Sequence, residues 1–196
     1  MLLQEKLKDI RIILGSQSPR RKELLASMDL DFTVEVKETD ETFDANASAV
    51  AIVRAIAEAK LNAFDSAAYQ DALVICADTI VVNEEGEVLG KPRDLAEAKA
   101  VIASLSGRAH LVYTAVALAF QGQRFSFAEE TKVWFSTLSN EEIAYYVDRY
   151  QPLDKAGSYG IQEWIGRIGI KQIAGSYENV IGLPTARLQQ ELKRLV

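Results

Sequence analysis

Gly15-Ser16-Gln17-Ser18-Pro19-Arg20-Arg21 is the stretch from which the rest of the chain is read. The short run Arg11-Ile12-Ile13-Leu14 in front of it predicts a strand, and Leu24, Leu25 and Met28 behind it recur at helical spacing. The stretch is therefore a strand-to-helix turn. Ser18 suits the N-cap and Pro19 the first helical position, where no backbone N–H is missed. Arg20 and Arg21 then fall in the first turn, where the helix dipole disfavours cations. Two guanidinium groups, the unpaired N–H groups of the turn and two serine hydroxyls together form an anion site. Taken alone, the stretch also fits two solvated arginines on a helix surface.

A chain of 196 residues suffices for one sizeable core or two closely joined lobes. With 48% hydrophobic and 26% charged residues, the composition is that of an ordinary globular protein. The net charge of -6 argues against a nucleic-acid polymer as partner, but leaves room for an anionic small molecule where positive charge gathers locally. A single cysteine, Cys76, excludes an internal disulfide and favours a reducing compartment. It stands in an apolar run and reads as a small core residue. Met1 to Ile10 lacks the apolar block of a signal peptide, and no stretch is long and apolar enough to span a bilayer.

Phe32 to Val36 alternates and predicts a strand. Lys37 to Phe43 is a polar loop holding Asp40 and Glu41, and such a cluster is usually solvated. Ala45 to Phe64 predicts a long helix capped by Asn46 or Ser48, with Val53, Ile56, Ala57, Leu61 and Phe64 on its apolar stripe. Lys60 falls on the same stripe. Either its ammonium snorkels past an apolar stem to water, or it is aimed into a cleft beside the core. Leu73 to Val82 is the most apolar run and predicts a central strand. Asp78 interrupts it. A carboxylate there is costly unless paired, hydrogen-bonded or metal-bound. A structural role, such as capping a neighbouring loop, would meet that need, but desolvation also suits a proton acceptor.

Glu85-Gly86 marks a turn. Gly86 to Lys91 is superficially like a phosphate-binding Walker loop, but the spacing is one residue short and Pro92 stands where Ser or Thr would hold magnesium. Asp94 starts a helix running through Leu105. His110 to Phe120 and Arg124 to Phe135 form a hairpin about Gln121-Gly122-Gln123. His110 is the only histidine, which excludes a multi-histidine metal site and leaves it structural or secondary. Ser139 and Glu142 form a capping box for a helix ended by Gln151-Pro152. The loop Asp154 to Gln162 is either a connection or a substrate-contacting segment. Ile168 to Ile173 predicts a strand, and Gly182-Leu183-Pro184 leads into a final helix ending near Leu195.

These pieces fit one family in register. Ser16-Gln17-Ser18-Pro19-Arg20-Arg21, Ala77-Asp78-Thr79, Gly90-Lys91-Pro92, Ser106-Gly107 with His110 and Thr114, Lys155 to Gln162, and Gly182-Leu183-Pro184 resemble the signature of the Maf family. The resemblance spans Ile12 to about Leu192. It implies a nucleoside triphosphate pyrophosphatase, cutting between the α and β phosphates. It also implies a single α/β domain of two lobes without a separable linker. The expected sheet is elongated, mixed and flanked by helices, as in inosine triphosphate pyrophosphatases, with the active site in the cleft. A divalent cation (magnesium or manganese), a cytoplasmic location, a homodimer and a link to septum formation or nucleotide clean-up come with it.

Asp78-Thr79 and Gly160-Ile161-Gln162 resemble the dTTP/UTP subgroup, whereas the 7-methyl-GTP subgroup typically has Asp-Gln at the first position and lacks that glutamine. By the resemblance Asp78 is the proton acceptor. Arg20, Thr79 and Gln162 go with substrate choice, and Ser16, Arg21, Glu41, Lys60 and Lys91 line the pocket. Glu41 is expected to share the metal with Asp78. Two departures stand out: Gln17 where a smaller residue is common, and Glu163-Trp164 after Gln162 where small residues often follow. A nucleotide-binding regulator of cell division that does not turn over is the rival reading; it would need no base, and Asp78 argues against it.

Overall fold

In the computed structural model the described residues are 1–39, 42, 44 and 47–195. They divide into two compact units. The first comprises Met1–Asp78, Thr114–Glu129 and Gly182–Val196, and the second Thr79–Tyr113 and Glu130–Ile181. Strand order among the described residues is β2 (Thr33–Val34), β1 (Ile12–Leu14), β3 (Leu73–Val82), β5 (Ala109–Phe120), β6 (Gln123–Phe135) and β7 (Ile170–Ala174) in a seven-stranded sheet, with β4 (Val88–Leu89) paired to β3.

The first unit opens with helix α1 (Leu3–Leu7), which buries Leu3 and Leu7. Strand β1 (Ile12–Leu14) is buried along its whole length. It lies parallel to β2 (Thr33–Val34) on one side and to β3 (Leu73–Val82) on the other, with Ile13 opposite both Thr33 and Val74. A strand covered on both faces must read as an unbroken apolar run, as Ile12-Ile13-Leu14 does. The alternation over Phe32 to Val36 yields only a two-residue edge strand, both residues exposed. Helix α2 (Pro19–Ala26) starts as the sequence indicates, with Pro19 at its first position and the Ser18 hydroxyl accepting the Arg21 N–H. Helix α3 (Ala49–Asn62) begins later than expected: Ser48 is the cap, accepting the Ala51 N–H at 3.3 Å. Ala45 and Asn46 lie outside the described residues. The core joins Leu14, Leu25, Ile75, Leu118 and Leu183 to Leu188 and Leu192 of the final helix.

Gly15 ends β1 where the chain must pass close to its neighbours. A Cβ there would come 2.5 Å from the Cys76 sulfur and 2.9 Å from the Phe64 ring. Cys76 is buried, and burial pushes its thiol up to about 12, so it is a small apolar filler.

The second unit contains the far end of β3, the short β4 (Val88–Leu89) antiparallel to it, and α4 (Leu95–Leu105) capped by Asp94. Strands β5 (Ala109–Phe120) and β6 (Gln123–Phe135) are joined through Gln121 and Gly122, at φ 47° and 77°. Two successive positive φ values make the turn whose twist matches a hairpin. Helix α5 (Asn140–Tyr150) carries the expected capping box of Ser139 and Glu142. A 3₁₀ turn (Ala156–Ser158), α6 (Trp164–Gly169), β7 (Ile170–Ala174) antiparallel to β6, and α7 (Tyr177–Ile181) follow. Helix α8 (Thr185–Leu195), in the first unit, ends the chain's regular structure. In the second unit Ile102, Leu105, Phe135, Tyr146 and Ile165 form the core. Among the described residues no helix is long and apolar enough to cross a membrane.

Candidate active site

In the first unit the turn after β1 is held in shape by its own hydroxyls. The buried Ser16 hydroxyl accepts the Ser18 N–H at 3.2 Å and the Arg21 guanidinium at 3.4 Å. Arg21 also donates through Nε to the Gly182 carbonyl at 2.8 Å. That bond joins the Ser-Pro-Arg-Arg segment to the Gly-Leu-Pro segment, and fixes a cation at a helix N-terminus that would otherwise repel it. Arg20 is half-buried beside it on α2.

Lys60 and Asp78 meet in the same unit. The ammonium donates to Asp78 Oδ1 at 2.6 Å, with the side chains 18% and 15% exposed. The apolar strand therefore tolerates Asp78 because a cation answers it, and Lys60 leaves the stripe of α3 for a carboxylate as well as for water. Among the described residues, direct bonds bring Ser16 together with Arg21 and Lys60 together with Asp78. Glu41 lies outside the described residues.

The second unit carries Thr79, Lys91 and Gln162. Thr79 follows Asp78 on β3 and is half-buried, while Lys91 is exposed. The segment holding Lys91 is tied to the loop holding Gln162 by the Gly157 N–H, which donates to the Gly90 carbonyl at 3.3 Å. Gly157 has φ 70°, and a Cβ there would meet Val81 at 2.9 Å, so only glycine fits that crossing. Half-buried Gln162 keeps its Oε1 out of water, without a hydrogen-bond partner among the described residues.

Sequence reasoning missed the groups that brace this loop. Lys155 is buried, with its ammonium 2.7 Å from Asp154 Oδ1 and 3.3 Å from Glu163 Oε1. The Tyr146 hydroxyl donates to Glu163 and accepts the Gly160 N–H. The visible signal was Glu163 itself, a charge where small residues are common. His110 anchors the loop from β5, its Nε2 lying 2.7 Å from the Tyr159 hydroxyl.

Burial pushes the His110 imidazole down to about 4. Its folded value lies below the unfolded value of about 6.5, so the neutral ring stabilises the fold above the latter. That contribution drains away as pH falls from about 6.5 towards about 4. The lone imidazole is expected to keep its neutral-form NMR shifts at about pH 5.5. Protonated-form shifts there would contradict its burial.

Among the described residues, no group of three or more His, Cys, Asp or Glu is arranged to hold a metal. Asp78 is a single carboxylate donor. Magnesium and manganese fit such a site when substrate phosphates and water complete the shell.

A family model described as Maf-like protein matches residues 11–195. The dTTP/UTP pyrophosphatase of Bacteroides thetaiotaomicron is 46% identical over 186 residues, covering 94% of this chain and 96% of that protein. The dTTP/UTP pyrophosphatase of Phocaeicola vulgatus is 47% identical over 192 residues, covering 97% and 99%. The Ham1 protein structure of Staphylococcus aureus aligns over 95% of this chain and 100% of that one, with a TM-score of 0.53 and 14% identity; it shares the fold.

Proposed function

Because the chain belongs to the Maf-like family, we propose that it is a nucleoside triphosphate pyrophosphatase hydrolysing dTTP and UTP to the monophosphate and pyrophosphate. The observation that carries this reading is the 2.6 Å pair of Lys60 and Asp78 on otherwise apolar elements. Asp78 accepts a proton from water as the water oxygen attacks the α phosphorus, and the bond to the bridging oxygen breaks to release pyrophosphate. Arg21, Lys60 and Lys91 bind the phosphates, with the Ser16 hydroxyl and the first N–H groups of α2. Asp78 and the phosphate oxygens would hold the magnesium or manganese ion, whose charge offsets that of the triphosphate.

Gln162 and Thr79 read the base, with Arg20 contributing to substrate choice. The Gln162 Oε1, without a hydrogen-bond partner among the described residues, supports this, because uracil and thymine offer an N3–H where cytosine offers a bare acceptor. A homodimer in the cytoplasm, serving septum formation or nucleotide clean-up, accompanies the reading. A pyrophosphate-release panel over dTTP, UTP, CTP, 7-methyl-GTP and ITP, with magnesium and with manganese, tests it. Release confined to dTTP and UTP is expected. Release chiefly from 7-methyl-GTP would overturn the base assignment, and tight binding without release would indicate the regulator instead.

A further inference from the structure

Gln162 sits in a turn closed at both ends. The Glu163 N–H donates to the Gly160 carbonyl at 3.0 Å, placing Ile161 and Gln162 at the two central positions. Ile161 is buried in the core of the second unit, which leaves Gln162 as the turn's polar projection.

Side chains close the same turn a second time. The Tyr146 hydroxyl accepts the Gly160 N–H at 2.9 Å and donates to the Glu163 carboxylate, so one oxygen joins the first and last residues of the turn. The carboxylate folds back over Gly160, where an added Cβ would meet its carbon at 2.7 Å and Oε2 at 2.8 Å. Lys155, 3.3 Å from Oε1, supplies the countercharge. Burial, then the bond to Glu163, pushes the Tyr146 hydroxyl well above the usual tyrosine range, which keeps it a donor.

We propose that Glu163 is a positioning residue for base selection: its carboxylate, clamped by Tyr146 and Lys155 and seated on Gly160, sets the direction in which Gln162 presents its amide. This rests on the reading of Gln162 as the base-recognising group. Glu163 does not touch the substrate; it acts through the turn.

The test compares kcat and KM for UTP and CTP in Q162A, E163A, E163Q, Y146F and the double variant E163A/Y146F. E163A and Y146F are each expected to lower the UTP-over-CTP preference in kcat/KM by about tenfold, mainly through KM for UTP. E163Q should restore part of it, since an amide oxygen still accepts from Tyr146. The double variant should fall no further than either single, because both cut one clamp. If E163A and Y146F lower only the thermal midpoint, and Q162A alone lowers the preference, the positioning role is overturned while the Gln162 reading stands. If Q162A leaves the preference unchanged, the reading of Gln162 falls and the proposal with it. Should E163A not fold, Y146F, which removes a single oxygen, decides the matter.

Discussion

Asp78→Asn is expected to lower kcat/KM for UTP by about a thousandfold, with the far-UV circular dichroism and the thermal midpoint close to those of the parent chain. The substitution keeps volume and shape. The asparagine carboxamide oxygen can still accept the Lys60 ammonium that now donates to Asp78 Oδ1 at 2.6 Å, so Lys60 on α3 keeps a hydrogen-bond acceptor while losing its countercharge. What it removes is the carboxylate's charge, and with it both the ability to take a proton from the attacking water and the anionic donor proposed for the metal ion. A group that only held Lys60 in place would leave kcat much less affected, because the amide holds it too. Wild-type kcat in D78N would refute the base assignment. A loss confined to KM would recast Asp78 as a phosphate-site organiser acting through Lys60.

The sequence was legible where elements are long or regularly patterned. Leu73 to Val82, the hairpin through Gln121 and Gly122, the N-caps Ser18 and Asp94, and the capping box at Ser139 all carry their signals within a few residues. Helices α1, α6 and α7 have five or six residues and β4 has two, too few to show a period. The site divides the same way. Lys60 and Asp78 declared themselves as charges on apolar elements. The bond from Arg21 to the Gly182 carbonyl spans 161 residues, and no local pattern encodes it. The clamp on Glu163 was illegible for another reason: Tyr146, Lys155 and Glu163 sit on a helix, a loop and a helix cap, and only folding places them round one carboxylate.

Gly166→Ala is the second large effect, and it falls on stability first. Gly166 lies inside α6, where alanine is ordinarily the better residue by about 1 kcal/mol. Here the sign reverses. An added Cβ would stand 1.7 Å from the Ile161 carbonyl oxygen and 2.5 Å from the carbonyl carbon, and those are backbone atoms with no rotamer to escape into. Either α6 moves away or the Gly160–Glu163 turn does. The expected net loss is about 2–3 kcal/mol, read as a fall of about 5–10 °C in the thermal midpoint. Because Ile161 immediately precedes Gln162 in that turn, displacement also reaches the base-recognising group, and KM for UTP should rise with the loss of stability. Leu105→Ala separates the two effects. Leu105 is buried in the same core, and its truncation costs a similar amount by opening a cavity, at a distance in sequence from the turn. L105A should therefore lower the midpoint without raising KM. A G166A chain as stable as the parent would mean that α6 does not pack on Ile161 as described. Equal KM values in G166A and L105A would mean that the turn does not govern how Gln162 meets the base.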